Sequence, residues 1–362
     1  MSLHKQQHRI AIKVGSNVLS RKDGSLDITR ISALVDQINH LKQKHYEVIL
    51  ISSGAVAAGK ARVIPRGKLD IVSSRQVYSS VGQARLINQY YTFFDNYNIP
   101  CGQVLTTKES FSTRYQYLNQ RNCMEVMLDN GIIPIVNEND TISVTELMFT
   151  DNDELAGLVA TMMNCESLII LSNIDGIYNG NPENENSKVI TKVDTQKDNI
   201  EEFIQASKSN AGRGGMQTKY NIARKIAEEG VEVIIANGKK ENILIDLITD
   251  SNTLCTRFIP STKVASTVKK WIAHSESFAK GEIYVNKGAS EALRSDNAVS
   301  LLPIGITHIV GTFETGDIVT IIDSTGTQIG IGCTAFNNDE VEQLIGISNA
   351  KPIIHYDYLY ID

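Results

Sequence analysis

The sequence lacks every signature of a cross-linked or metal-stapled protein. Its five cysteines, Cys101, Cys123, Cys165, Cys255 and Cys333, are odd in number, widely spaced and without a C-x-x-C pair. That argues against a disulfide framework or a zinc site and for a reducing, cytoplasmic setting. Long apolar runs are missing too. Residues 1–8 contain no apolar h-region, and no later stretch approaches the length needed to span a bilayer, so a soluble protein without a membrane partner is expected. Repeats and low-complexity tracts are absent. Neither a Walker A loop nor a dinucleotide G-x-G-x-x-G occurs, and no H-R-D or D-F-G set or Ser–His–Asp order suggests protein kinase or hydrolase chemistry.

What is present is length and enough apolar content to use it. A chain of 362 residues with 42% hydrophobic side chains fills more than one ordinary core and suggests two domains, one of them large. The formal net charge of −6 is unevenly spread. Residues 277–362 carry four Lys and Arg against eleven Asp and Glu, a net of −7, so the tail is acidic and the rest near neutral.

The densest polar chemistry lies in residues 132–154. The apolar run Ile132-Ile133-Pro134-Ile135-Val136 reads as a buried strand and ends in Asn137-Glu138-Asn139-Asp140. A second polar knot, Asp151-Asn152-Asp153-Glu154, heads the helical run Leu155-Ala156-Gly157-Leu158-Val159-Ala160. A strand end facing a helix start is where open α/β sheets place ligands. The competing reading is that Asp151 caps a helix and the other carboxylates are solvated.

In chain order, the strand Arg9-Ile10-Ala11-Ile12-Lys13-Val14 runs into Gly15-Ser16-Asn17. The glycine turn lets N–H groups face a ligand and Lys13 adds positive charge, although a lysine that guards an edge strand would look the same. A helix over residues 28–44 leads to the strand Glu47-Val48-Ile49-Leu50-Ile51. This strand ends in Ser52-Ser53-Gly54-Ala55-Val56-Ala57-Ala58-Gly59, small residues that permit close approach of backbone to ligand or of helix to sheet. A long helix over residues 69–91, a strand at 102–105 and a helix over 115–129 follow. After the second polar knot, Ser167-Leu168-Ile169-Ile170-Leu171 is an apolar strand ending in Ser172-Asn173.

Residues 209–219 form a glycine loop with Arg213, Gly214 and Gly215, passing through Met216, Gln217, Thr218 and Lys219 into a helix over about 220–229. Exposed N–H groups and cationic side chains there can collect phosphate oxygens. A last strand, 231–236, and a helix near 242–249 complete the alternation. It predicts an α/β domain over residues 1–260 with a mostly parallel open sheet covered by helices on both faces. Residues 261–276 form a connector in which Lys270-Trp271-Ile272 fits either a helix or a strand. From residue 277 short strands separated by glycine turns predict a small β-barrel of about eighty residues.

Cations on glycine turns, together with carboxylates and amides at strand ends, point to phosphoryl transfer. The segments Lys13-Val14-Gly15-Ser16-Asn17, Ser52 to Gly59, Val136-Asn137-Glu138-Asn139-Asp140, Asp151-Asn152-Asp153 and Gly214-Gly215-Met216-Gln217-Thr218-Lys219 resemble the amino acid kinase family. The tail resembles a PUA domain. The match runs in order over essentially the whole chain.

The resemblance implies transfer of a phosphoryl group from ATP to the γ-carboxylate of L-glutamate, the first step of proline synthesis, with Mg²⁺ as cofactor. It implies that Lys13 and Lys219 contact the nucleotide phosphates and that Asp153 orients them. Ser53, Asp140 and Asn152 then bind glutamate. Lys13, Ser172, Asn173, Arg213, Gly214, Gly215, Met216, Gln217, Thr218 and Lys219 bind ATP. Two positions depart from the family pattern, which commonly has Thr-Asp where this chain has Ser172-Asn173 and threonine where it has Arg213. Magnesium, held by ATP oxygens and water, needs no protein ligand. Feedback inhibition by proline, a homo-oligomer and coupling to a glutamyl phosphate reductase are further implications. An aspartate or N-acetylglutamate kinase is the alternative enzyme. RNA binding through the tail is the alternative of another class, and the tail's charge of −7 opposes it.

Overall fold

The computed structural model describes residues 8–142, 149, 151–182, 184–195, 197, 198, 200, 216–262, 269, 271, 272, 275, 278–295 and 298–361. The chain divides into two compact units, Met1–Lys108 with Asn119–Val264, and Glu109–Leu118 with Ala265–Asp362.

The first unit is built on an eight-stranded sheet of order β3-β4-β2-β1-β5-β7-β8-β6. The five strands that matter for the site are β1 (Arg9–Val14), β2 (Glu47–Ser52), β4 (Ile133–Glu138), β5 (Ser167–Ser172) and β7 (Glu232–Asn237). They lie in the order β4-β2-β1-β5-β7 and all pair in parallel, as expected for strands alternating with helices. At one edge β3 (Cys101–Thr106) pairs in parallel with β4. At the other, β8 (Thr256–Phe258) runs antiparallel to β7, and β6 (Lys192–Val193) pairs in parallel with β8. Lys13 therefore sits on a central strand, and the edge-strand reading of this lysine is excluded.

Successive strand residues point to opposite faces, and on β1 both sets are buried. Ile10, Ile12 and Val14 pack in one cluster with side chains of helices α2 (Ile28–Gln43) and α4 (Ile71–Asp95). Helix α2 buries Ile31, Leu34, Val35, Ile38 and Leu41 at helical spacing, and Asp27 caps it by accepting from Arg30 N at 3.2 Å. Lys13 belongs to the opposite set and meets α6 (Asn152–Met162), a helix with nine of its eleven residues buried. Its counterpart α7 (Met216–Glu228) starts four residues earlier than the periodicity suggests, which places Lys219 in its first turn.

The small-residue run after β2 forms the short helix α3 (Ala55–Lys60), entered through Gly54 at φ +108. A Cβ on Gly59 would lie 1.8 Å from Tyr78 O, and one on Gly82 would lie 1.8 Å from Ala55 O. The close approach implied by these glycines is therefore helix against helix, α3 on α4, more than helix against sheet.

The second unit contains a five-stranded sheet of order β10-β9-β11-β12-β13, made of β9 (Gly281–Val285), β10 (Ile306–Gly311), β11 (Ile318–Ile322), β12 (Gln328–Cys333) and β13 (Leu359–Ile361). The β9–β11 pairing is parallel and the others are antiparallel. Its own apolar core includes Ile283, Phe313, Val319, Ile321 and Ile353. Trp271 and Ile272 are helical and buried, which decides the ambiguity there, and Trp271 Nε1 donates to Phe111 O at 3.0 Å within the same unit. Most other residues of the expected connector lie outside the described set. Among the described residues no helix is long and apolar enough to cross a membrane.

Candidate active site

The site forms at the C-terminal ends of β4, β2, β1 and β5. Asp151 stands at the head of α6 in an extended conformation, and its Oδ1 accepts from Asp153 N at 2.9 Å and Glu154 N at 3.1 Å. This cap both starts the helix and fixes the direction of Asp153. The Asp153 side chain is fully buried and holds two cations at once: Lys13 Nζ lies 2.5 Å from Oδ1 and Lys219 Nζ 2.6 Å from Oδ2. Burial works against the charge on Asp153, but the two lysines more than offset it and hold the carboxyl below its ordinary range. Asp151 shows the opposite balance, pushed up by burial and by the neighbouring charge of Asp153.

On the β4 side, Asn152 Nδ2 donates to Ser53 Oγ at 3.0 Å and to Asn137 Oδ1 at 3.0 Å. Asn137 Nδ2 in turn donates to Gln83 Oε1 at 2.8 Å. Ser53, from the turn after β2, and Asn152, from the head of α6, are thus tied into one polar network beside Asp153. Asp140 is buried next to them and is engaged by Arg75 Nη2, which also lies 3.0 Å from Glu138 Oε2. Glu138 Oε1 accepts from Phe149 N at 3.1 Å. Burial, reinforced by Asp140 and only partly offset by Arg75, pushes the Glu138 carboxyl up to about 7. Burial likewise raises Asp140, with Arg75 acting against it.

On the other side of Lys13, Ser172 ends β5 and Asn173 follows, with Ser172 Oγ 3.5 Å from Asn173 Oδ1. Gly15 N donates to Leu171 O at 3.0 Å, which joins the turn after β1 to the end of β5. Two residues on, Asp175 pairs with Lys240 Nζ at 2.8 Å and accepts from Asn237 Nδ2 at 3.1 Å. A carboxylate is therefore present at this strand end although Asn173 itself carries none. Burial opposes its charge, but the bonds from Lys240 and Asn237 lower the Asp175 carboxyl overall.

Of the residues expected from the sequence, Lys13, Asp153 and Lys219 meet directly, and Ser53 and Asn152 share a hydrogen bond. Asp140 ends the same strand segment but faces Arg75. Met216, Gln217 and Thr218 form the first turn of α7 with Lys219, and Gln217 Nε2 donates to Asn221 within that helix. Arg213, Gly214 and Gly215 lie outside the described residues. Sequence reasoning did not single out Arg75, Gln83 or Asp175 as site residues. Arg75 and Gln83 sit on the long helix α4, Arg75 near its start and Gln83 at its middle, where a polar residue carries no local signal of function.

A pair of lysines on one buried carboxylate stands between a polar hydrogen-bond network on the β4 side and a strand end bearing hydroxyl and amide groups, an arrangement whose cations suit an anionic group. Two comparisons give this arrangement its identity. Residues 8–237 match the model of the amino acid kinase family and residues 281–355 that of the PUA domain, and the chain belongs to the amino acid kinase family. Within that family its full-length relatives include the glutamate 5-kinase of Bacteroides thetaiotaomicron, 61% identical over 98% of both chains. The glutamate 5-kinase of Chlorobaculum tepidum is 44% identical over 99% of this chain and 98% of its own. Among solved structures, a carbamate kinase from Giardia lamblia bound to AMP-PNP superposes with a TM-score of 0.52 at 16% identity, over 71% of this chain and 99% of that one. That likeness is one of fold.

Proposed function

We propose that this chain transfers the γ-phosphoryl group of ATP to the γ-carboxylate of L-glutamate, giving γ-glutamyl phosphate and ADP, the first step of proline synthesis from glutamate. The reading rests on the full-length similarity to glutamate 5-kinases. The observation that carries the chemistry is the shared grip of Lys13 and Lys219 on Asp153. A γ-carboxylate, with a reference pKa of about 4.3, is ionised at neutral pH and needs no general base. The obstacle is electrostatic, because an anion must approach a polyanionic triphosphate. Lys13 and Lys219 put two ammonium groups on the one carboxylate of Asp153, with Asp151, its carboxyl pushed up by burial and by Asp153, beside them. In this reading Asp153 keeps both ammonium groups aligned before the nucleotide arrives, so little reorganisation is needed when charge spreads over the transferring group.

Ser53, Asn152 and Asp140 orient glutamate on the β4 side. Ser172, Asn173 and the segment 213–219 hold ATP on the β5 side. Magnesium, when bound with the nucleotide, neutralises phosphate charge. The residues present fit such an ion: Asp151 Oδ2 is buried and without a partner among the described residues and would accept from a water of the ion's hydration shell, while phosphate oxygens would supply direct ligands.

Feedback inhibition by proline beside the glutamate pocket, a homo-oligomer, a cytoplasmic setting and delivery of the labile acyl phosphate to a glutamyl phosphate reductase belong to the same proposal. The homo-oligomer has support of its own. Along α4 the exposed residues Val77, Val81, Ala84, Asn88 and Tyr91 recur at alternating spacings of four and three, the pattern of a helix seam that packs against another helix.

The decisive experiment measures ATP consumption with glutamate, aspartate, N-acetylglutamate and UMP in parallel. Turnover with glutamate alone is expected, and preference for any of the other three overturns the assignment.

A further inference from the structure

The hydrogen bonds that join Asn137, Asn152 and Ser53 have a direction, and the main chain sets it. A backbone N–H can only donate, so the 2.9 Å bond from Glu138 N to Asn137 Oδ1 fixes which end of the Asn137 amide is oxygen. The same oxygen accepts from Asn152 Nδ2 at 3.0 Å, and Asn152 Nδ2 also donates to Ser53 Oγ at 3.0 Å. Asn137 is only 3% exposed, so its own Nδ2 needs an acceptor from within the protein. Gln83 Oε1, reaching in from α4, is that acceptor at 2.8 Å.

This direction decides what the network offers a ligand. Asn152 uses its amide hydrogens on Asn137 and Ser53, and among the described residues nothing donates to its Oδ1. Ser53 Oγ accepts from Asn152, and among the described residues its hydroxyl hydrogen has no acceptor. Both side chains are half-buried. The network therefore presents one acceptor, suited to an ammonium group, and one donor, suited to a carboxylate oxygen. Were the Asn137 amide turned over, its Nδ2 would face two donors, Glu138 N and Asn152 Nδ2, and the arrangement would break. Resting on the reading that glutamate is the acceptor of the phosphoryl group, we propose that Gln83 is a positioning residue for glutamate. By taking the remaining hydrogens of Asn137 it holds the network in the one direction in which Asn152 Oδ1 receives the α-ammonium and the Ser53 hydroxyl donates to a substrate carboxylate. Gln83 acts through Asn137 and does not itself touch the substrate.

The competing role is structural: Gln83 follows Gly82, where α4 touches α3, and would only pin α4 to β4. Steady-state kinetics on Gln83→Met and Gln83→Glu separate the two. Methionine keeps the length of the side chain and loses the acceptor. The proposal expects the glutamate KM of Gln83→Met to rise by ~5- to 20-fold, with kcat and the ATP KM changed by less than about twofold, as loss of uniform binding requires. Gln83→Glu keeps an acceptor at the same reach, so its glutamate KM is expected to stay within about threefold of the wild type. A double-mutant cycle supplies a second readout. Since Gln83 acts through Asn137, adding Gln83→Met to Asn137→Ala should raise the glutamate KM by less than about twofold further. An unaltered glutamate KM in Gln83→Met, an equal rise in Gln83→Glu, or the same rise once Asn137 has been removed overturns the proposal. Should Gln83→Met fail to fold, Gln83→Leu takes its place, and should the Asn137→Ala background fail, the Gln83 variants decide alone. Absence of glutamate-dependent ADP formation by the wild type is a different result, because it removes the underlying reading as well.

Discussion

Lys219 meets Asp153 at 2.6 Å, and the opposite oxygen of the same carboxylate lies 2.5 Å from Lys13. Removing either lysine leaves the other paired, so the fold should tolerate the change while the reaction does not. Lys13→Ala and Lys219→Ala are each expected to lower kcat by ~10²- to 10³-fold, with the glutamate KM altered by less than about threefold. Purified variants assayed for ADP release at saturating ATP check this, and an unchanged kcat in either would falsify the role assigned to that lysine.

Glu138 ties stability to pH. Its folded-state carboxyl stands at about 7, above the ordinary value of 4.5, so between these two pH values the folded chain holds a proton that the unfolded chain has released. Stability contributed at this site therefore falls as pH rises from about 4.5 through about 7. A displacement of this size corresponds to on the order of 3 kcal/mol at most. Glu138→Gln removes the titration. Denaturant unfolding at pH 5 and pH 8 should show a smaller loss of stability across that interval in the variant than in the wild type, and equal losses would count against the buried charge.

Gly82 tests the packing that shapes the Ser53 turn. A methyl group there would meet Ala55 O at 1.8 Å, and Gly59 N lies 2.5 Å away. Backbone on both sides cannot yield as a flexible side chain would, so Gly82→Ala is expected to cost ~2–4 kcal/mol, against a helix-propensity gain of only about 1 kcal/mol. Calorimetric melting of the variant measures it. A neutral substitution would mean that α3 and α4 are more loosely apposed.

The exposed seam on α4 predicts its own partner. Val81 lies at its centre and is 40% exposed. In an assembly joined through this seam, Val81→Glu buries two like charges near the symmetry axis and should shift the mass seen by light scattering toward the monomer. An unaltered mass places any interface elsewhere.

Much of the fold was legible because period and punctuation are local. The apolar face of α2, the cap at Asp151 and the strands before Gly15 and Ser53 all follow from neighbouring residues. The small residues after β2 were visible as well, but what they approach was not. The partner of Gly59 is Tyr78, and that of Gly82 is Ala55, contacts between two helices that no single window contains. Trp271 and Ile272 were ambiguous for the related reason that three residues show neither a period of two nor one of 3.6.

What the sequence determined by itself is the inventory: alternating strands and helices, the polar knots at the strand ends, and a change of texture near residue 277. The tertiary structure decided the order β4-β2-β1-β5-β7, which sets Lys13 in the middle of the sheet between the two halves of the site. It also decided that Lys13 and Lys219 share one carboxylate while Arg75 takes two others. Charges pair by distance and burial, and those are properties of the assembled sheet that residues far apart in the chain acquire only when it folds.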